Sequence, residues 1–218
     1  MPNATALAGK HRAAGLLLTL AAMLGAASAA RGQDSASNAH GDLPPAGFGT
    51  LSQGDIALTL QTDELEIRVV SLDERVTRLL APDSYTSLHG LIESRSLAID
   101  TLARRNGITA PGLFFVTFFG RRSGARFDSQ NLSLVIRNQL YRPVGVVPYS
   151  DNFNSQQLEV RQQASGIYLF ETQTPVFESF TVTYGSASAD WEGKLNRLQR
   201  ERSRIMSRVR ADTDTTVH

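Results

Sequence analysis

Residues 113–119 read LFFVTFF, and this run constrains the fold more than any other in the chain. Alternation puts Phe114, Val116 and Phe118 on one side and Phe115 and Phe119 on the other. A strand apolar on both faces has to be covered on both, which predicts a central strand. Short alternating runs surround it. Ile56, Leu58 and Leu60 share a face over 55–61, and Leu65, Ile67 and Val69 share one over 64–71. The Thr62-Asp63 connection between these runs fits either a tight hairpin or one long bent strand. Downstream come Leu132, Leu134 and Ile136, then RPVGVVP at 142–148, then Leu158 and Val160. Ile167, Leu169 and Phe170, followed by Phe180, Val182 and Tyr184, complete the series. About eight short strands separated by turns predict a mainly β, two-layer domain.

Two stretches have helical spacing instead. Over 73–107 a short piece, Asp73 to Leu80, sets Val76, Leu79 and Leu80 on one side. Pro82 suits the first turn of a second helix. Tyr85, Leu88, Leu91 or Ile92, Leu97 or Ala98, and Leu102 then recur on one stripe, and Asn106-Gly107 supplies a stop. This pair is read as an insertion in the strand series. The second stretch is DWEGKLNRLQRERSRIMSRVRA at 190–211. Trp191, Leu195, Leu198, Ile205 and Val209 form a heptad-like seam that only Arg202 interrupts. Arg197, Arg200, Arg204 and Arg208, with Glu201 among them, fall on the opposite face. Fully burying a large apolar side chain is worth about 1.5–3 kcal/mol, so something must cover the seam. The parent domain, another protein or a second copy, and an anionic membrane surface are the competing covers.

The N-terminus reads as an export signal. Lys10, His11 and Arg12 are charged, Ala13 to Leu24 is apolar, and Ala27-Ser28-Ala29 offers small residues for cleavage. An uncleaved anchor is the alternative, because Ala13 to Ala30 is near the lower limit for spanning a bilayer. Removing residues 1–29 takes two basic residues and no acid, leaving 20 basic against 21 acidic. That balance gives no general affinity for nucleic acid. Residues 30–54 are rich in Gly, Ser, Ala and Pro without apolar periodicity, as expected of a flexible linker.

The chain has no cysteine, which excludes disulfides, thiolate metal sites and a Cys nucleophile. His40, His89 and His218 stand apart, with no second ligand at metal spacing. No G-x-S-x-G, S-x-x-K or phosphate-binding glycine loop is present. Asp63, Glu64 and Glu66 read as a solvent-facing row, and Asp151 is a lone carboxylate in an Asn-rich loop. Gly120-Arg121-Arg122-Ser123-Gly124, with Arg126 nearby, could hold an anion. The plainer reading there is a solvated turn. Tyr141, Tyr149 and Phe153 are candidates either for a contact surface or for packing over sheet ends.

The stretches NLSLVIRNQLYRPVGVVPYS, LEVRQQASGIYLFE and ESFTVTYGS resemble the second half of small bacterial immunoglobulin-like domains. The telokin-like group of exported bacterial domains is the nearest comparison. The resemblance spans about residues 113–186. It rests on a strand with a buried aromatic, Ile167-Tyr168-Leu169-Phe170, and a last strand of alternating Phe, Val and Tyr. It implies a sandwich and a structural or interaction role, and it carries over no catalytic residue.

The expected architecture is an immunoglobulin-like antiparallel β-sandwich with a two-helix insertion and a C-terminal amphipathic helix. Its divisions are a signal peptide (1–29), linker (30–54), sandwich (55–186, insertion 73–107), helix (187–211) and disordered tail (212–218). The expected function is an exported structural or protein-binding module, periplasmic or extracellular, serving as accessory subunit of a bacterial envelope assembly. Its partner would be a protein or a second copy, with peripheral membrane contact and no nucleic acid. Neither catalysis, cofactor nor metal is expected. Trp191, Leu195, Leu198, Ile205 and Val209 are the docking candidates; Arg121, Arg122 and Arg126 are the candidates for an anion contact. The rivals are an envelope hydrolase acting on polymer or peptide, and a membrane-surface protein held by an uncleaved signal or the terminal helix.

Overall fold

LFFVTFF does become a central strand. The computed structural model describes residues 43–215, with side chains through Ala211. The signal peptide, most of the linker and the last three residues of the tail lie outside the described residues.

Strand β1 (Ala57–Gln61) and β2 (Leu65–Ser71) pair antiparallel, Leu60 opposite Ile67. They form a hairpin rather than one bent strand, because Thr62 closes the turn by donating its N–H to the Leu65 carbonyl at 2.9 Å. Strand β3 (Gly112–Gly120) lies between β2 and β9 (Gln163–Phe170), and β7 (Gly145–Pro148) pairs with the far side of β9. The resulting five-stranded sheet has the order β1-β2-β3-β9-β7.

A second, four-stranded sheet joins β5 (Leu132–Ile136), β6 (Gln139–Tyr141), β10 (Thr181–Tyr184) and β11 (Ala187–Asp190) in the order β11-β10-β5-β6. The hairpin between β5 and β6 turns through Arg137 and Asn138, both at positive φ, as a two-residue primed turn requires. A two-residue pairing of β4 (Ala125–Arg126) with β8 (Gln157–Leu158) completes the antiparallel set.

The sheets share one core. Leu60, Ile67, Val69, Phe114, Val116 and Phe118 point inward from the first sheet, and Leu132, Leu134, Val182 and Tyr184 from the second. Phe118 and Tyr184 bring their ring centroids to 5.7 Å across the two sheets, and Phe114 meets Phe180 at 6.2 Å.

Three helices complete the element order. Helix α1 (Glu74–Thr77) is capped by Asp73, whose carboxylate accepts the Arg75 N–H. Helix α2 (Pro82–Arg105) follows, with proline in its first turn and Asn106 at its end. It covers the outer face of the first sheet at β7, where Leu102 seats on Gly145. A Cβ on that glycine would come within 2.6 Å of the leucine. The inward residues of α2 include Leu88, Ile99 and Ala103. Leu97 and Ala98, expected on the inward stripe, face solvent instead, with Leu97 76% exposed. Helix α3 (Glu192–Thr215) ends the described chain.

Three expected boundaries are corrected. The linker does not extend to residue 54. Leu51 is buried and pairs with Leu80 as a parallel bridge, and Gln53–Ile56 form a 3-10 helix. Glycine is essential to that approach, since a Cβ on Gly49 would overlap the Leu79 carbonyl. Residues 187–190 are strand β11 rather than helix, because they pair with β10 and alternate Ala187 and Ala189 against the core with Ser188 and Asp190 outward. The helix also continues through 212–215, where a tail was expected.

Candidate functional site

Helix α3 starts where β11 stops. The Trp191 N–H is held by the Phe180 carbonyl at 2.9 Å, its ring stacks on Phe180 at 5.1 Å, and its indole N–H reaches the buried Val176 carbonyl at 2.8 Å. About two turns and four turns further on, Leu198 and Ile205 are fully buried, while Leu195 and Val209 pack against the core partly exposed. All five docking candidates therefore fall on one seam of the helix. Trp191 is covered by this chain's own 176–180 segment.

Glu201 is a correction to the sequence reading. Its spacing sets it among the arginines of the opposite face, yet it is 7% exposed. Its Oε1 accepts from the Thr50 backbone N–H at 2.7 Å and the Thr50 hydroxyl at 2.9 Å. Arg204 donates to both carboxylate oxygens, at 2.6 and 2.8 Å, and also to the Phe48 carbonyl at 2.8 Å. The Arg204 guanidinium, then the Thr50 donors, hold the Glu201 carboxyl down at about 2 despite burial. Nearby, Arg197 pairs with Asp55 at 2.5 Å, and Lys194 donates to the Gly54 carbonyl at 3.4 Å. The Ser52 backbone N–H, more than Arg197, keeps the Asp55 carboxyl below its ordinary range. Arg202, the residue that breaks the apolar seam, sets its guanidinium 5.1 Å from the Phe177 ring centre. Its charge thus rests on an aromatic face rather than on aliphatic core. The helix is a clamp that ties the entering segment 48–55 and the late segment 176–180 to its two flanks.

The arginines of the anion candidate are spread out. Arg121 donates through its guanidinium to the Thr62 carbonyl at 2.9 Å and through its backbone to the Glu64 carbonyl at 2.8 Å. The Arg126 backbone N–H meets the Glu64 carboxylate at 3.3 Å. Arg121 and Arg126 line a shallow hollow that Asp63, Glu64, Tyr184 and Ser186 also line. Two carboxylates against two guanidiniums leave that hollow without a net pull on an anion. Arg122 is exposed and does not line it.

The aromatic candidates separate as well. Phe153 is buried at 4% exposure, against Phe127 at 5.4 Å and near Phe118 and Tyr168, so it belongs to the core and not to a contact surface. Tyr149 is half-exposed, edge-on to Phe115 at 5.4 Å and under the Arg95 guanidinium at 5.4 Å. Tyr141 donates its hydroxyl to Gln139 on the same edge strand. The Tyr168 hydroxyl is fully buried with no hydrogen-bond partner among the described residues, and burial pushes its ionisation far above the ordinary range.

His89 stands between Glu74 at 3.6 Å and Glu93 at 3.2 Å, stacked on Tyr85. Among the described residues no three ligating side chains converge as a metal site. Asp151 is exposed and opens a 3-10 helix, Asp151–Ser155.

Two features escaped the sequence reading. Glu201 follows the seam residue Leu198 by three positions, so its place beside the seam was visible in the spacing. Phe48, 48% exposed beside Arg204, carried no signal, because an isolated aromatic in a Gly/Pro-rich stretch has no period. No helix among the described residues is long and apolar enough to cross a membrane. No protein family, curated protein or solved structure matches the chain.

Proposed function

We propose that this domain is an immunoglobulin-like sandwich acting as an exported, non-enzymatic interaction module in a bacterial envelope assembly. The observation that carries the reading is strand order. Taken in order across the sheet, β2, β3, β9 and β7 correspond to the A, B, E and D strands of an immunoglobulin sheet. Strands β11, β10, β5 and β6 correspond to G, F, C and C′. On this correspondence β1 is an added N-terminal strand, and α1 and α2 occupy the A–B connection. Export follows from the sequence of residues 1–29. A non-catalytic role is supported by how the polar side chains are used. Glu201 and Asp55 fasten the entry segment to α3, and Asp73 caps α1, so these carboxylates are used structurally.

The seam of α3 is closed on its own domain at Trp191, so the surface offered to partners lies elsewhere. Fractionation of cells carrying the native chain, followed by gentle purification with bound proteins, tests the reading. Envelope location with a reproducible partner is expected. Recovery in the cytosol, or hydrolysis of peptidoglycan or peptide by the purified protein, would overturn it.

A further inference from the structure

We infer that the exposed arginine stripe of α3, together with Phe48, is a docking face for the anionic headgroups of a phospholipid bilayer. The inference rests on the exported reading above and names a surface partner for it.

Charge distribution is the first argument. Residues 192–211 hold seven basic and two acidic residues, a net of +5 in a chain whose net charge is +1. Everything outside that segment therefore sums to −4. The positive charge is concentrated on one helix, and a planar anionic surface attracts that side and repels the rest.

Placement is the second. Arg197, Arg200, Arg204 and Arg208 follow at spacings of three and four, so they form one stripe along the helix. Arg197 and Arg204 spend their charge on Asp55 and Glu201. Arg200 and Arg208 are exposed and have no acidic partner among the described residues, so their charge is available to a headgroup phosphate.

The third argument is the aromatic. Arg204 donates to the Phe48 backbone carbonyl at 2.8 Å, which joins that residue to the stripe, and the Phe48 side chain is 48% exposed. An exposed apolar side chain on a segment joined to an arginine stripe matches the boundary between headgroups and acyl chains. It does not resemble the core of a protein interface, where charge is depleted.

The fourth is the chain that precedes the domain. The apolar export stretch Ala13–Ala30 is separated from Asp42 by the short run 31–41, and the entering segment Phe48–Thr50 is the one α3 clamps. A retained export stretch would confine the entry segment, and α3 with it, to the reach of that run from a bilayer. The apolar seam itself is already buried, so the contact is electrostatic with one aromatic, and it is therefore salt-sensitive.

The test uses the full chain and sedimentation with vesicles of equal parts phosphatidylglycerol and phosphatidylcholine, or of phosphatidylcholine alone. Binding to the neutral vesicles measures what the N-terminal apolar stretch contributes by itself. The expected result is tighter binding to the anionic vesicles, lost at high salt. Arg200→Glu with Arg208→Glu should weaken it by at least roughly tenfold with the same melting temperature and unchanged binding to neutral vesicles. Arg200→Lys with Arg208→Lys should retain it, and Phe48→Ser should weaken it less than the charge reversals do. Equal binding to both vesicle types, or an anionic preference that survives the double reversal, overturns the proposal. So does a preference for a soluble acidic protein that competes the vesicles off. Cytosolic recovery in the fractionation above would sink the export reading without changing the vesicle result, so the two failures are distinguishable.

Discussion

Glu201 occupies a position where α3 would otherwise be dry. Four hydrogen bonds satisfy its carboxylate, two from Thr50 and two from Arg204. A buried carboxylate with that many charge-assisted donors is stabilising only while ionised. Its folded value of about 2 lies below the ordinary 4.5, so the folded state binds fewer protons than the unfolded chain in that interval. The stabilisation is complete above about pH 5 and is lost as pH falls toward about pH 2. Glu201→Gln removes the charge but keeps the shape, and it should cost about 2 kcal/mol at neutral pH. Thermal melts of both proteins between about pH 7 and pH 2.5 check this. The gap between them is expected to close as the solution is acidified. A gap that stays constant down to the acid end would show that the Glu201 charge does not hold the entry segment.

At the scale of elements, α2 shows what the sequence revealed and what it concealed. Its limits were legible, because Pro82 and Asn106-Gly107 are local signals that tertiary contacts do not override. Its inward face was not. The residues Tyr85, Leu88, Ile92, Arg95, Ile99 and Leu102 follow spacings of three and four without a break, but the fourth is charged. Arg95 keeps its guanidinium over Tyr149, so it can occupy a seam position while breaking the apolar pattern. Reading past it shifts the apparent stripe to Leu97 or Ala98. The same substitution of arginine into a seam occurs at Arg202 in α3, where enough apolar residues remained on both sides to keep the phase. The phase of α2 is open to a paired test. Ile99→Asp buries an unpaired charge and should cost more than about 3 kcal/mol, while Leu97→Asp should stay within about 0.5 kcal/mol. Chemical denaturation of the two variants decides it. Equal losses would mean that the helix is rotated from the face described.

For the whole molecule, the alternating apolar runs were enough to predict antiparallel sheets, and LFFVTFF was enough to predict the central strand. The sequence did not show which distant strands neighbour one another, nor that the first described residues are fastened by the last helix. That fastening is long-range. Thr50 and Glu201 are 151 positions apart, and Trp191 reaches back to Val176 and Phe180. An element joined to both the entry segment and the late loop cannot leave without exposing Leu51, Leu198 and Ile205 together. Helix α3 should therefore melt with the sheets and not as an independent appendage. The chain contains one tryptophan, Trp191, placed at the root of that helix, so its fluorescence reports the docking alone. Circular dichroism at helical wavelengths reports α2 and α3 together. The two signals are expected to share one denaturant midpoint and one slope, with amide exchange in the Leu198–Ile205 turns as slow as in β9. A helical signal that declines before Trp191 becomes exposed, or fast exchange across those turns, would mean that the clamp is an accessory contact. The sheets would then have to be stable on their own core.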